Sequence, residues 1–282
     1  GCMRMDRIFS LDGQWTLFYA NEENVPPSSP KELECLRLPC IPAEVSGNVE
    51  LDLSRAGLLP ADLYWGMNPW LAEAYEAYGW WYRTEFDTPP AEPGERLFLR
   101  FEGVDCLAEY TLNDQLLGTS ENAFIPHEFD VTEKIVPGGR NILWVHIRSA
   151  LLEQLRQPYT PYLLCGWHSG GGISLRKPAY AFGWVIFPRA LTAGLWKSVR
   201  LVALTAYSFE ELGYFTRFSP AMEPHLQFFF SVFAPMERLL SGEMSVRITG
   251  RCGEDSSFAA VYPLRKQKAA RVDCSVRNPK LW

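Results

Sequence analysis

The sequence predicts an all-β protein made of two sandwiches of unequal size. From about Arg96 onward, apolar and polar residues alternate over short stretches, and that period is typical of half-buried strands. A second block of alternation begins after Leu204. Since 282 residues are long for one ordinary domain, we predict one domain over residues 1–203 and another over residues 204–282.

Four segments carry the alternation in the first domain, and each places its apolar side chains on one face. These faces are formed by Leu97, Leu99 and Phe101; Ala108, Tyr110 and Leu112; Leu143, Val145 and Ile147; and Leu195, Val199 and Leu201. Asn113 and Asp114 follow the second segment, and their side chains can cap their own backbone in a tight hairpin. We therefore predict sandwich strands here.

Between Pro42 and Trp81 the period changes to that of a helix. Residues 48–60 predict one short helix with Gly57 near its end and Pro60 beyond it. Residues 68–79 predict a second, with Asn68 as N-cap, Pro69 at the first helical position and Gly79 at its end.

Residues 157–172 hold two prolines and four glycines without a clean period, which predicts a long surface loop. Beyond Leu204, four or so short strands are expected, including those that carry Met244, Val246 and Ile248 and Val272, Cys274 and Val276. This spacing is typical of an immunoglobulin-like sandwich, which needs roughly seven strands, so we predict an incomplete one.

Composition excludes several classes of function. A formal charge of -6 without a Lys/Arg block argues against a nucleic-acid binder, and no apolar run reaches the roughly 20 residues that span a bilayer. Ten Trp, twelve Tyr and seventeen Phe suit a neutral ligand such as a sugar, although a large sandwich core is the alternative use of these rings.

Neither a metal nor a cofactor is predicted. The four His residues lack zinc-ligand spacing, and the glycine run at 170–172 is not followed by the Lys-Ser/Thr of a phosphate-binding loop. Seven Cys without even spacing favour core thiols over a disulfide framework. The start shows no signal peptide, so a cytoplasmic or a periplasmic location stays open.

Five segments, in order, resemble the sugar-binding domain of family 2 glycoside hydrolases, and the β-mannosidase branch above all. They are SLDGQW (10–15), the loop and helix region 41–68, WWYRTEF (80–86), the block 99–132 with its Gly-Val-Asp and Phe-Asp-Val-Thr, and RKPAYAFGWVIFPRALTAGLWKSVRL (176–201). The resemblance implies a galactose-binding-like jelly roll for the first domain.

Two departures from the family pattern limit what the resemblance implies. The family's Phe-Gly-Trp is followed by Asp-Trp-Gly, whereas Val185, Ile186 and Phe187 follow Trp184 here. Losing a carboxylate that bonds a sugar hydroxyl should change specificity. The sequence also ends before the family's catalytic (β/α)₈ barrel, which holds the acid and the nucleophile, two carboxylates about 5 Å apart.

No catalytic residue is therefore predicted within this chain. The resemblance implies that Trp184 and Val185 lie at the rim of a carbohydrate pocket, together with Arg176 and Tyr180. His168 is a further rim candidate, because it shares a loop with Trp167 and the glycines at 170–172.

Four of these residues have an alternative role. Trp184 suits a core position equally well, and Arg176 and Tyr180 suit a surface contact. His168 suits a solvent-exposed loop. Asp105 and Asp130 are expected to cap turns, and Trp196 is expected in the core.

The sequence predicts the non-catalytic N-terminal portion of a retaining exo-β-glycosidase, which scaffolds the barrel and forms part of the pocket rim. The alternative is a free-standing carbohydrate-binding or structural module, which should bind soluble sugar by itself. The expected partners are a β-glycoside and the barrel, with no nucleic acid and no membrane. An unpaired edge in the second domain predicts self-association.

Overall fold

The computed structural model describes residues 7–25, 29–90, 95–157, 174–183, 188–204, 207–252 and 256–276. The chain divides into two compact units, a larger one formed by Arg7–Glu92 and Arg96–Ala203 and a smaller one formed mainly by Leu204–Trp282. The expected long loop lies outside the described residues apart from Gln157. None of the helices within the described ranges has the length and hydropathy that crossing a bilayer requires.

The larger unit is an antiparallel sandwich with short helices between its strands. Its strands are β1 (Arg7–Ser10), β2 (Gly13–Asn21), β3 (Cys40–Val45), β4 (Tyr78–Asp87), β5 (Arg96–Phe101), β6 (Ala108–Leu112), β7 (Gln115–Ser120), β8 (His127–Asp130), β9 (Arg140–Ile147) and β10 (Val199–Leu204). Its α-helices are α1 (Pro30–Leu36), α2 (Val49–Arg55), α3 (Asn68–Leu71) and α4 (Ala150–Arg156), and two short 3-10 helices span Ala72–Tyr75 and Ala179–Phe182.

Two sheets of this unit enclose one core. The first has the strand order β3-β2-β4-β9-β6-β7 and the second the order β1-β10-β5-β8. Side chains predicted to share faces, such as Leu99, Tyr110 and Val145, are fully buried in that core. The prediction of an all-β sandwich is confirmed.

The hairpin predicted after β6 is present, but the side chain of Asn113 acts differently from the prediction. Asn113 and Asp114 have φ angles of 50° and 63°, which suits a tight turn between β6 and β7. Asn113 does not cap its own turn, because its amide donates to the Lys134 carbonyl oxygen (3.0 Å) and to Asn141 Oδ1 (2.8 Å). The side chain therefore joins the hairpin to β9.

One predicted helix is confirmed and the other is wrong in extent. Asn48 Oδ1 accepts the Leu51 amide (3.0 Å) and thereby caps α2, which lies within the predicted range 48–60. The second helix consists of the single turn α3 and a 3-10 turn, and Tyr78 and Gly79 already belong to β4. Tyr78 pairs with Asn21 of β2, so sheet pairing overrides the helical spacing. Asn68 donates its side-chain amide to the Asp62 carbonyl oxygen (2.7 Å) instead of capping.

The smaller unit has two sheets and one helix. Its elements are β11 (Ser208–Phe218), β12 (Pro224–Phe233), α5 (Met236–Ser241), β13 (Ser245–Cys252), β14 (Ser256–Pro263) and β15 (Ala269–Ser275). The sheet orders are β11-β12-β15 and β13-β14, and Phe230, Val232 and Val246 are buried in their common core. The predicted strands around Val246 and Val272 are present, and Val276 lies just beyond β15.

Candidate functional site

Three backbone segments of the larger unit meet beside the N-terminus of α2. Gly47 and Val49 donate their amides to the carbonyl oxygens of Leu195 and Ala193, both at 2.9 Å, and Asp105 and Gly194 exchange two backbone hydrogen bonds. Gly194 lies between the other two segments at φ 149°, and a Cβ there would lie 2.8 Å from Asn48 Cα. Only glycine fits this position without displacing the backbone.

Asp105, in one of these segments, forms a buried ion pair with Lys177. Lys177 is 3% exposed, and its Nζ donates to Asp105 Oδ2 and to the Thr192 carbonyl oxygen, each at 2.5 Å. Thr192 Oγ1 also donates to Asp105 Oδ2 (2.8 Å). The expectation that Asp105 caps a turn is therefore wrong, whereas Asp130 does cap one by accepting the Thr132 amide (3.0 Å).

A cavity of about 260 Å³ lies beside the ion pair, and Asp105 and Thr192 form part of its wall. Three rings on its wall are largely exposed, namely Phe124 (60%), Tyr180 (62%) and Trp196 (44%). Asn48, Asp105 and Thr192 supply the polar part of the lining. Asp105 Oδ1 is buried and has no hydrogen-bond partner within the described part of the chain. The cavity thus combines exposed apolar rings with a few polar side chains.

A second, smaller cavity of about 20 Å³ shares Asp105 with the first and is also lined by Glu50. A space of this size holds about one water molecule. Burial raises the pKa of Glu50 to about 8, against a smaller opposing effect of the Lys177 ammonium. Glu50 Oε2 lacks a hydrogen-bond partner among the described residues. At neutral pH the raised pKa keeps this carboxyl protonated.

Arg189 fixes the backbone on the far side of residues 184–187. Its Nε and one terminal nitrogen bind the two carboxylate oxygens of Glu76 at 2.7 and 2.6 Å, and its guanidinium carbon lies 5.8 Å from the centre of the Phe182 ring. Paired guanidinium and carboxylate groups set orientation as well as distance. The pairing also holds the pKa of Arg189 above its usual range.

The structure describes two of the five predicted rim residues. Tyr180 lines the larger cavity, and Arg176 is exposed on a segment whose carbonyl oxygen accepts the Ala123 amide (2.9 Å). His168, Trp184 and Val185 lie outside the described residues. Trp196 was expected in the core, which is wrong, because its ring stands at the cavity with Lys197 Nζ 4.3 Å from its centre.

Sequence reasoning missed Lys177, Thr192, Asn48 and Phe124 as parts of this site. Lys177 follows Arg176 in a polar segment, where surface exposure is the ordinary expectation for lysine. The available signal was its position in the segment 176–201, whose first two residues, Arg176 and Lys177, match the family pattern. The other three have no chemical signature of their own.

Comparison with known families matches residues 15–197 to the family described as "Glycosyl hydrolase 2 galactose-binding domain-like". Beta-mannosidase B of Aspergillus terreus is 29% identical over 243 residues, which are 85% of this chain and 28% of the relative. That of Thermothelomyces thermophilus is 34% identical over 157 residues, or 55% of this chain and 18% of the relative. This chain thus spans under a third of these relatives' length.

Among solved structures, the β-D-mannosidase of Dictyoglomus thermophilum superposes with a TM-score of 0.74 at 25% identity, over 98% of this chain and 32% of that one. A Bifidobacterium dentium β-glucuronidase gives a TM-score of 0.61 at 23% identity, over 98% of this chain and 43% of that one. The second likeness shows a shared fold.

Proposed function

Because this chain belongs to the glycosyl hydrolase 2 galactose-binding domain-like family, we propose that it is the non-catalytic N-terminal portion of a retaining exo-β-glycosidase. In this role it supports a catalytic barrel and forms part of the substrate-pocket rim. The observation that carries the proposal is the match of an all-β chain to 28% of the length of a β-mannosidase. A rigid support raises catalytic efficiency by holding rim residues in position.

The carboxylates that the described structure brings together do not form a hydrolytic pair. Glu50, Glu76 and Asp105 line the same small cavity, but its volume of about 20 Å³ excludes a glycosidic bond, and Glu76 is already bound to Arg189. Asp105 is neutralised by Lys177, and burial raises the pKa of Glu50 to about 8. A retaining enzyme needs an ionised nucleophile and a protonated acid about 5 Å apart around an open substrate site.

The rim that we propose includes Trp184, Val185, Arg176, Tyr180 and His168. The pairing of Arg189 with Glu76 supports this assignment, because it fixes the chain just beyond residues 184–187. Val185 stands where the family has an aspartate, so we propose that the parent enzyme recognises a different hydroxyl pattern from that of a β-mannosidase.

The accessory role is tested by comparing this chain with the protein encoded by its complete reading frame. We expect no hydrolysis of p-nitrophenyl β-D-mannoside, β-D-galactoside or β-D-glucuronide by this chain alone, and turnover of at least one by the complete protein. Turnover by this chain alone contradicts the proposal, as does a complete protein that contains no barrel.

The specificity role of Val185 is tested in the same complete protein. Val185→Asp restores the family's hydrogen-bonding group, so kcat/KM for the β-mannoside should rise at least about tenfold relative to the other two substrates. Val185→Leu is the matched control and should leave the ratio unchanged. An equal effect of both variants contradicts a role in hydroxyl recognition.

The cavity of about 260 Å³ with its exposed rings favours a second function, in which the chain is a carbohydrate-binding module. This function does not exclude the first, because a scaffold domain can hold a sugar away from its support surface. Titration of sugar into this chain tests the second function, and absence of binding contradicts it.

We also propose that the smaller unit associates with a second copy along β11. Within the described residues β11 pairs on one side only, with β12. Leu212 and Tyr214 are 63% and 62% exposed, although Leu212 pairs with the buried Phe230. A long edge strand that exposes large apolar side chains is a template for another strand.

Sedimentation velocity at several concentrations tests this association. We expect dimers in the wild type and their loss in Leu212→Lys, because a charge on the edge opposes pairing. Leu155→Lys is the control, since Leu155 is 71% exposed on α4. A strict monomer, or an equal loss in both variants, contradicts the proposal.

A further inference from the structure

We propose that one surface loop of the larger unit, residues 62–71, is the seat on which the catalytic barrel of the complete enzyme docks. This loop, the aromatic loop, exposes Tyr64, Trp65, Met67, Trp70 and Leu71. The inference rests on the accessory role proposed above, and it names the surface through which the chain holds the barrel.

The apolar side chains of the aromatic loop are largely accessible. Tyr64, Trp65 and Trp70 are 70%, 75% and 61% exposed, and Met67 and Leu71 are 57% and 52% exposed. Since an aromatic side chain offers roughly 150 to 250 Å² of surface, the three rings alone present on the order of 400 Å². An apolar patch of this size on a protein surface is often a binding site.

Hydrogen bonds within the loop order its backbone. Asp62 Oδ1 accepts the Tyr64 amide (3.3 Å), and the Asp62 carbonyl oxygen accepts the Trp65 amide (3.4 Å). Asn68 Nδ2 donates to the same carbonyl oxygen (2.7 Å), and Leu63 packs against the main core. An ordered loop loses little conformational entropy when a partner binds, and exposed Trp and Tyr side chains contribute much of the binding energy in such contacts.

The length of the relatives indicates what covers this loop. This chain matches 28% of the length of a β-mannosidase, so most of such an enzyme lies outside the matched part. Interfaces between domains of one chain bury roughly 600 to 1,500 Å². The aromatic loop supplies a large part of one side of such an interface.

The charges beside the aromatic loop oppose a second copy of this chain as its occupant. Asp62 and Glu73 are exposed at the start of the loop and just beyond its end, and residues 56–82 contain no Lys or Arg. A two-fold contact brings the same residues of both copies together, and like charges across an interface disfavour binding. The same carboxylates oppose an anionic lipid surface. The partner surface is therefore expected to have an apolar centre with Lys or Arg at its margin.

The aromatic loop is continuous with the segment that supports the proposed rim. The 3-10 turn Ala72–Tyr75 follows it directly, and the next residue, Glu76, binds Arg189 through both carboxylate oxygens. A barrel that docks on the aromatic loop is thus connected to the pair that fixes the chain just beyond residues 184–187.

Hydroxyl-radical footprinting of this chain and of the protein encoded by its complete reading frame tests the proposal. We expect Trp65, Met67 and Trp70 to be oxidised at least about tenfold more slowly in the complete protein, because burial shields them from the oxidant. A methionine-containing peptide added to both samples calibrates the radical dose. A carbodiimide should also cross-link Asp62 or Glu73 to a lysine outside residues 1–282.

Trp65→Lys places a charge in the centre of the proposed contact. It should lower the midpoint of thermal unfolding of the complete protein by at least about 3 °C. The midpoint of this chain alone should not change, because Trp65 is 75% exposed in it. Leu155→Lys is the matched control, since Leu155 is 71% exposed on α4, and it should change neither midpoint.

Equal oxidation of the aromatic loop in the two proteins overturns the proposal, as does an equal effect of Trp65→Lys and Leu155→Lys. Oxidation of the loop that slows as the concentration of this chain rises would assign it to a second copy. Binding of this chain to phosphatidylcholine vesicles that Trp65→Lys abolishes would assign it to a lipid surface. Either assignment overturns the barrel as the occupant.

Failure of this inference can be told apart from failure of the accessory role. Glycoside turnover by the complete protein with an unprotected aromatic loop contradicts the docking surface alone. Protection of the loop in a complete protein that hydrolyses no glycoside contradicts the role in a glycosidase alone.

Discussion

At the residue scale, Lys177 places an ammonium group inside the larger unit, where the residue is 3% exposed. Removing such a charge from water costs several kcal/mol unless partners replace the water. Asp105 Oδ2 and the Thr192 carbonyl oxygen provide that replacement, each at 2.5 Å. The ion pair is therefore a structural element of the candidate site, and each partner requires the other.

Lys177→Met should destabilise the chain by about 3 to 5 kcal/mol, because it leaves the Asp105 carboxylate buried without its cation. Asp105→Asn should cost a similar amount, whereas the double variant should cost clearly less than the sum. Urea unfolding of the three variants measures this coupling. Lys197→Met, at an exposed lysine, is the control. Additive single effects would show that the pair is not energetically coupled.

Glu50 should make the chain less stable as pH rises. Its pKa is about 8 in the folded chain because of burial, against about 4.3 when unfolded. The contribution of Glu50 to stability is complete below the unfolded pKa. It is lost as pH rises toward the folded pKa, because only the unfolded chain ionises in that window.

Glu50→Gln removes this dependence, since the amide stays neutral. The free energy of unfolding of the wild type relative to this variant should fall by roughly 3 kcal/mol between pH 5 and pH 8. Denaturant unfolding at several pH values measures the difference. Glu109→Gln, at an exposed position of β6, is the matched control. A constant difference for Glu50→Gln would contradict the raised pKa.

At the element scale, the sequence predicts those elements whose periodicity is set by the core. The face of Leu97, Leu99 and Phe101 is buried as expected, because a half-covered strand must alternate. The helix over 68–79 failed because pairing of Tyr78 with Asn21 is a long-range contact without a local signal. The cavity could not be predicted from the sequence either, because its lining residues Asn48, Asp105 and Trp196 are far apart in the chain and are brought together by loops.

Gly194 is the position where these loops most depend on a single residue. Gly194→Ala introduces a Cβ at 2.8 Å from Asn48 Cα and 2.9 Å from the Gly47 carbonyl oxygen. Gly13→Ala is a matched control, because Gly13 also has a positive φ (121°) but has no atom within 4 Å of such a Cβ. Both variants carry backbone strain of about 1 to 3 kcal/mol.

The additional steric conflict should make Gly194→Ala less stable than Gly13→Ala by at least about 2 kcal/mol. Urea unfolding under identical conditions measures the difference. Equal stabilities would show that the segments around residues 47, 105 and 194 separate without cost.

At the scale of the whole molecule, the two units differ in how much apolar surface they bury. Within the described ranges, the main core of the larger unit contains 26 buried hydrophobic residues, whereas the core of the smaller unit contains five. Stability grows with the buried fraction of the chain, and small domains with small cores are marginal. The larger unit therefore has enough core to fold by itself, and the smaller one does not.

A fragment of residues 1–204 should consequently unfold in one cooperative transition and give dispersed NMR signals, because it keeps the closed core between the two main sheets. A fragment of residues 205–282 should lack such a transition, because its core is small and the edge of β11 is open. Calorimetry of both fragments beside the intact chain measures this. A cooperative, monomeric fragment 205–282 would show that five buried side chains suffice, and would also contradict the association that we propose along β11.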